Sequence, residues 1–158
     1  MGKEIERKFL VDKSVFSTLI DYDYASIVQG YIYSTKNESV RIRTHCKNED
    51  KAYITLKKNS SGFSRHEYEY EIPIKDALEM FEIFCEKVLV KHRYVYFHAG
   101  FLWEIDIFLG DNDGLIVAEI ELDSEDQYFE KPDWVMDEVT HDPKYISANL
   151  IDNPYKQW

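Results

Sequence analysis

Charged residues in this chain recur two positions apart. The basic ones are Lys8, Arg41, Arg43, Lys57, Arg65, Lys91 and Arg93; the acidic ones are Glu4, Glu6, Glu67, Glu69, Glu71, Glu104, Asp106, Glu119 and Glu121. Alternate side chains of a β-strand share a face, so each short set presents its charges together. Lysine and arginine bind phosphate oxygens well. Carboxylates cannot touch a phosphate directly, but they hold a hard divalent cation such as Mg2+ or Mn2+, which bridges to phosphates. Cations on some strands and carboxylates on others therefore suit a metal–polyphosphate complex. They suit a nucleic acid or a lipid poorly.

The elements that would carry these residues are strands. Alternation of apolar and charged positions predicts strands over 3–11, 27–34, 39–46, 52–58, 64–72, 90–98, 101–109 and 115–123. The strictest is 64–72, where Arg65, Glu67, Glu69 and Glu71 point one way and His66, Tyr68, Tyr70 and Ile72 the other. Pro73 ends it. The spacing of Ala77, Leu78, Phe81, Phe84 and Val88 predicts a helix over 76–87, and 12–21 makes a shorter one with Val15, Phe16, Leu19 and Ile20 on one side. In the tail, Asp142 is a good N-cap and Pro143 suits a first helical position. Short turns imply antiparallel neighbours, and eight antiparallel strands commonly close into a barrel, which removes exposed edges. The expected fold is mainly β (α+β): a closed eight-stranded antiparallel barrel with helices packed outside, one domain over 1–158.

Such a barrel has two readings. If the apolar face (Ile5, Phe9, Val40, Ile42, Ile54, Leu56, Tyr68, Tyr70, Ile105, Ile107, Ile116, Ile120) points inward, the charges are a solvated coat. That leaves the apolar side of the 76–88 segment, and the tail around Trp134, Tyr145 and Leu150, with little to pack on. In the inverse, the apolar face lies outside under the helices and the charges line a tunnel. Buried charge is costly unless solvated, paired or filled by a charged ligand, which brings the polyphosphate reading back.

Bulk composition narrows the class. The chain has 158 residues, 44% apolar and 31% charged, with 12 Tyr and 9 Phe, an ordinary globular make-up that favours sheet. The net charge of −11 argues against a general nucleic-acid surface. Cys46 and Cys85 have no metal-like spacing and read as free thiols in a reducing compartment. No apolar run approaches the ~20 residues of a membrane span, so a cytoplasmic protein is expected, able to form a homodimer, taking a triphosphate-containing small molecule, with no nucleic-acid surface and no membrane contact.

Glu4-x-Glu6-x-Lys8 resembles the signature of the CYTH superfamily, the triphosphate tunnel metalloenzymes. The resemblance continues, in order, through Arg41-x-Arg43, Thr55-x-Lys57, Arg65-x-Glu67-x-Glu69, Lys91-x-Arg93, Glu104-x-Asp106 and Glu119-x-Glu121, over roughly residues 2–150. The segment from Trp134 to Thr140 resembles the short bacterial inorganic triphosphatases, with Met136 where glycine is usual and Lys144-Tyr145 where an Arg-Tyr pair is common. The resemblance implies a closed barrel with a hydrophilic tunnel. It implies Mg2+ or Mn2+ held by Glu4, Glu6, Glu119 and Glu121, and phosphates held by Lys8, Arg41, Arg43, Lys57, Arg65, Lys91 and Arg93. Glu67, Glu69, Glu104 and Asp106 then hold a second metal or orient the attacking water. Glu71 reads as solvated or salt-bridged. His66 and His98 have the wrong parity for the tunnel. The implied activity is hydrolysis of inorganic tripolyphosphate. The alternatives are a class IV-type adenylate cyclase, a thiamine or nucleoside triphosphatase, or a non-catalytic polyphosphate or nucleotide binder.

Overall fold

The computed structural model describes residues 5–59 and 65–158. The strands are β1 (Ile5–Val11), β2 (Tyr24–Ser34), β3 (Glu38–Cys46), β4 (Asp50–Asn59), β5 (Arg65–Ile72), β6 (Leu89–His98), β7 (Phe101–Phe108), β8 (Ile116–Leu122) and β9 (Val135–Glu138). The helices are α1 (Val15–Leu19), α2 (Ile74–Phe84) and α3 (Ser147–Asp152). All described ladders are antiparallel, in the order β5-β4-β3-β2-β6-β7-β8-β1-β9. The expected eight strands are therefore nine. Among the described residues β5 and β9 pair on one side only, so no backbone ladder closes the sheet. The ninth strand is four residues long and rests on β1, with Phe9 opposite Glu138. It lacks the length and alternation that reveal a strand in sequence.

Local chemistry explains the turns. β6 and β7 join through Ala99-Gly100, with φ of 48° and 87°. A two-residue hairpin whose twist matches its strands needs positive φ at both positions. Gly30 matters for a different reason: a Cβ there would lie 2.7 Å from the Cys85 sulfur, so the end of α2 seats on β2 only over a glycine.

The outer face buries the apolar set. Phe9, Trp103, Ile105, Ala118 and Ile120 form one core with Val15 and Leu19 of α1 and with Phe129 and Trp134 of the segment after β8. Ile42 and Ala52 form another with Ala77, flanked by Ile54, Ile74, Met80 and Phe81. The cover is narrower than the sequence suggests. Leu78, Phe84 and Val88 are exposed, as are Phe16, Ile20, Tyr68 and Tyr70, because α2 faces the sheet through Ala77 and Phe81 and leaves the outer side of β5 open.

The inner face is charged at one end and apolar at the other. Two residues beyond Lys8, Lys91, Asp106 and Glu119 toward that end stand Leu10, Leu89, Phe108 and Val117. These four pack with Leu115 and with Tyr145, Leu150 and Ile151 from the tail. The tail thus corrects the expectation that its apolar residues lie outside with the helices: α3 fills one end of the inner face. Asn112 pins it, donating from Nδ2 to the Leu150 carbonyl at 3.1 Å and accepting at Oδ1 from the Tyr155 amide at 2.8 Å. Asp142 caps the turn before it, accepting from the Lys144 amide at 3.0 Å. Leu150 is fully buried, so Leu150→Ala is expected to lower stability by about 2–5 kcal/mol in chemical denaturation. A loss under about 1 kcal/mol would mean that α3 is not seated there.

Candidate functional site: the charged inner face

Register brings the charged sets onto one face. Glu6 lies opposite Glu121 and Lys8 opposite Glu119; Glu104 opposite Glu119; Arg93 opposite Asp106; Arg41 opposite Thr55; Thr55 opposite Glu69 and Lys57 opposite Glu67. Ile42, Ile54 and Ile120 occupy the other face, so the arrangement with charges as an outer coat is excluded for these strands. Glu4 and the Arg65 side chain lie outside the described residues. Glu71 is exposed beside Tyr53. His66 and His98 are on the outer side, His98 Nε2 lying 3.4 Å from Glu130.

The centre is Asp106, with no exposed surface. Lys91 Nζ donates to Oδ2 at 2.6 Å, and Arg93 donates from Nε to Oδ1 and from Nη2 to Oδ2, both at 2.7 Å. Burial alone would raise the Asp106 pKa, but Lys91 and Arg93 outweigh it and hold the carboxyl below its ordinary range. Burial likewise pushes the Lys91 amine down to about 8 despite Asp106. Arg93 also pairs with Glu104 and lies 3.8 Å from Glu119. Glu104 titrates above its ordinary range, through burial first and then through Glu119 and Asp106, which Arg93 only partly offsets.

On the β8–β1 side the Lys8 amine lies 3.8 Å from Glu119 and donates to the Tyr145 carbonyl at 3.1 Å. Burial would raise the Glu119 pKa, but Lys8, a hydrogen bond with the Glu6 carboxyl, Lys91 and Arg93 together outweigh it and hold it below its ordinary range. The hydrogen-bonded carboxyls of Glu6 and Glu119, with Glu121 opposite Glu6, present hard oxygen donors that a cation would join in place of the proton. That donor set fits Mg2+ or Mn2+. Among the described residues no three His, Cys, Asp or Glu side chains stand ready as a metal cluster.

On the β2–β5 side the pairing is weaker. Lys57 lies 3.1 Å from Glu67. Arg41 donates to Thr55 Oγ1 at 3.3 Å, the Thr55 hydroxyl donates to Glu69 Oε2 at 2.9 Å, and Arg41 reaches Glu69 only at 3.7 Å. Arg41 Nε is buried with no hydrogen bond. Arg43 donates twice to the Gln29 side-chain oxygen, at 3.3 and 3.1 Å. Burial, with Arg41 and Arg93 nearby, pushes its guanidinium down to about 10. The face thus has a cation-rich side and a carboxylate-rich side around an ion-paired centre. It can hold a linear polyanion by one side and its counter-cation by the other.

This face carries an ordered series of charged pairs, and residues 2–155 match the CYTH domain family. The chain belongs to the CYTH family. It is 50% identical over 159 residues to an inorganic triphosphatase of Acetivibrio thermocellus, covering 100% of this chain and 99% of that one. It is 33% identical over 152 residues to an inorganic triphosphatase of Nitrosomonas europaea, covering 93% and 95%. A crystal structure of an inorganic triphosphatase superposes with a TM-score of 0.66 at 30% identity, over 96% of this chain and 95% of that one. Within this CYTH chain, Gln29, His45 and the Tyr145 carbonyl also reach the site's surroundings. His45 was visible as the third member of the Arg41-x-Arg43 alternation. Gln29 is neutral and the Tyr145 contact is through backbone, so neither carries a charge pattern.

Proposed function

We propose that this chain is a hydrolase that cleaves inorganic tripolyphosphate to pyrophosphate and phosphate on its charged inner face, with Mg2+ or Mn2+. The observation that carries this is the single face on which cations of β1, β3, β4 and β6 meet carboxylates of β5, β7 and β8; the 50% identical inorganic triphosphatase supports it. The same reading takes 1–158 as one domain, its sheet curled as a closed barrel around the substrate. Support for the curl is the CYTH family match over residues 2–155. The reading needs no nucleic acid or membrane and is indifferent to monomer or homodimer. Among the described residues no helix is long and apolar enough to cross a membrane, and both cysteines are free, which agrees with a reducing cytoplasm.

The chain's residues divide the work. Lys8, Arg41, Arg43, Lys57, Arg65, Lys91 and Arg93 hold and straighten the phosphates, since phosphoryl transfer depends on in-line positioning and charge neutralisation. Glu6, Glu119 and Glu121, with Glu4, would hold the cation, which when bound neutralises charge on phosphate oxygens. Glu69 and Glu104 orient the attacking water, and Glu67 supports Lys57. Asp106 spends its oxygens on Lys91 and Arg93, so its role is to fix those cations rather than to activate water.

Incubation with tripolyphosphate, ATP and thiamine triphosphate, each with Mg2+ or Mn2+, separates the readings: phosphate release from tripolyphosphate is expected, whereas cyclic AMP or no turnover would replace this assignment. Arg43→Ala removes charge-assisted hydrogen bonds individually worth about 1.5–3 kcal/mol. The expected fall in kcat/KM is about 10- to 150-fold, with a stability loss of about 1–3 kcal/mol because the buried Gln29 oxygen loses its donors, and with Arg43→Lys recovering part of both. Undiminished hydrolysis by folded Arg43→Ala protein would move the substrate site elsewhere.

A further inference from the structure

Of the described lysines and arginines on the inner face, Arg43 differs in its partner. Lys8 has Glu119, Arg41 has Glu69, Lys57 has Glu67, Lys51 has Glu49, and Lys91 and Arg93 share Asp106. Arg43 has a neutral amide. Gln29 stands directly opposite it on β2, is wholly buried, and accepts both Arg43 donors at one oxygen. The Gln29 nitrogen donates to the Tyr31 hydroxyl at 3.4 Å, which turns the oxygen toward Arg43.

The choice of amide has a chemical consequence. A carboxylate at this position would have the same shape and would hold the guanidinium more tightly, since charge-assisted hydrogen bonds are roughly twice as strong as neutral ones. It would also cancel the charge. The amide orients Arg43 and leaves it, among the described residues, with no carboxylate in ion-pair contact beside Arg41, whose Nε is itself without a hydrogen bond. Two adjacent guanidinium groups on one strand, one anchored by an amide and one reached through a threonine hydroxyl, form the least neutralised part of the face.

We infer that Gln29 is a positioning residue that holds Arg43 in place while preserving its charge for a phosphate group of the substrate. This rests on the proposed triphosphatase reading. Gln29 is selected against the stronger ion pair because affinity for a polyanion would be lost with the charge. The substrate phosphate, not the protein, completes the ion pairing of Arg43.

The experiment compares wild type, Gln29→Glu and Gln29→Leu. Gln29→Glu keeps the shape and adds a salt bridge, so its thermal stability is expected to equal or exceed wild type. Its KM for tripolyphosphate is expected to rise about 10-fold or more while kcat changes less, and equilibrium binding of tripolyphosphate without divalent cation should weaken in parallel. Gln29→Leu should lose stability and affinity together, because Arg43 is then buried without its acceptor. A stable Gln29→Glu protein with wild-type KM and wild-type tripolyphosphate binding would overturn the inference and leave Gln29 a packing residue. Wild-type turnover of tripolyphosphate is the control that tests the triphosphatase reading separately. Should the wild type bind tripolyphosphate without hydrolysing it, the binding comparison still decides the role of Gln29.

Discussion

Asp106→Ala is expected to cost about 3–5 kcal/mol of stability, read as a shift in the denaturant midpoint with unchanged slope. Asp106 is the common counter-ion of Lys91, 2% exposed, and of Arg93. Its removal leaves the buried Lys91 without its counter-ion beside Arg93, two residues along the same strand, which keeps Glu104. Breaking a buried pair by deleting one partner is costly for this reason, whereas the intact pair contributes less. Asp106→Asn should fall between, since it keeps the shape and one acceptor but not the charge. The same pairing has a pH signature. Because the folded Asp106 pKa lies below its unfolded value, its contribution is complete above the ordinary aspartate pKa of about 3.9 and is lost as pH falls through the depressed value. Acid unfolding of wild type should therefore begin below that range, and Asp106→Asn should flatten the acid limb. A loss under about 1 kcal/mol for Asp106→Ala would show that Lys91 and Arg93 are solvated and that the centre is not a buried ion network.

Removing divalent cations is expected to abolish tripolyphosphate hydrolysis, and adding Mg2+ or Mn2+ back to restore it. The carboxyls of Glu6 and Glu119 meet on neighbouring strands, with Glu121 opposite Glu6. Two carboxyls this close repel when both are ionised, so a proton or a cation must join them. Glu6→Gln should raise the Mn2+ concentration needed for half-maximal activity by about 10-fold or more, the range that loss of even an outer partner produces. A second readout does not depend on turnover: Mn2+ should raise the melting temperature of wild type by mass action and that of Glu6→Gln less. Full activity in excess chelator would sink the role given to these carboxylates.

How much of this was legible in sequence follows from what each feature depends on. The two-residue side-chain period is a local property, so Arg41 and Arg43, Lys91 and Arg93, and Glu104 and Asp106 could each be assigned to one face from their own strand. Turn chemistry is local as well, and Gly100 and Pro73 stand where strands end. The outward apolar face could be argued because the 76–88 segment needed something to cover. Which charge answers which depends on register between strands, and register brings together residues tens of positions apart. Only the fold showed that Asp106 takes both Lys91 and Arg93 while Arg43 receives an amide.

The tail shows the same division. Trp134, Tyr145 and Leu150 were visibly apolar residues in need of a core. Trp134 found it outside, against Trp103, and Leu150 found it inside, on Leu89, Phe108 and Val117. Those three come from β6, β7 and β8, and Leu10 beside them from β1; in each strand they read as the next member of an otherwise charged series. A one-dimensional pattern cannot show that four such endings lie at one level, because that requires the strand offsets. The same dependence hid β9, whose four residues pair with β1 only where that edge is offered. Alternation along each strand was therefore determined by the sequence alone, whereas pairing, offset and the filling of the inner face were decided by tertiary structure, where contacts distant in the chain outweigh local preference.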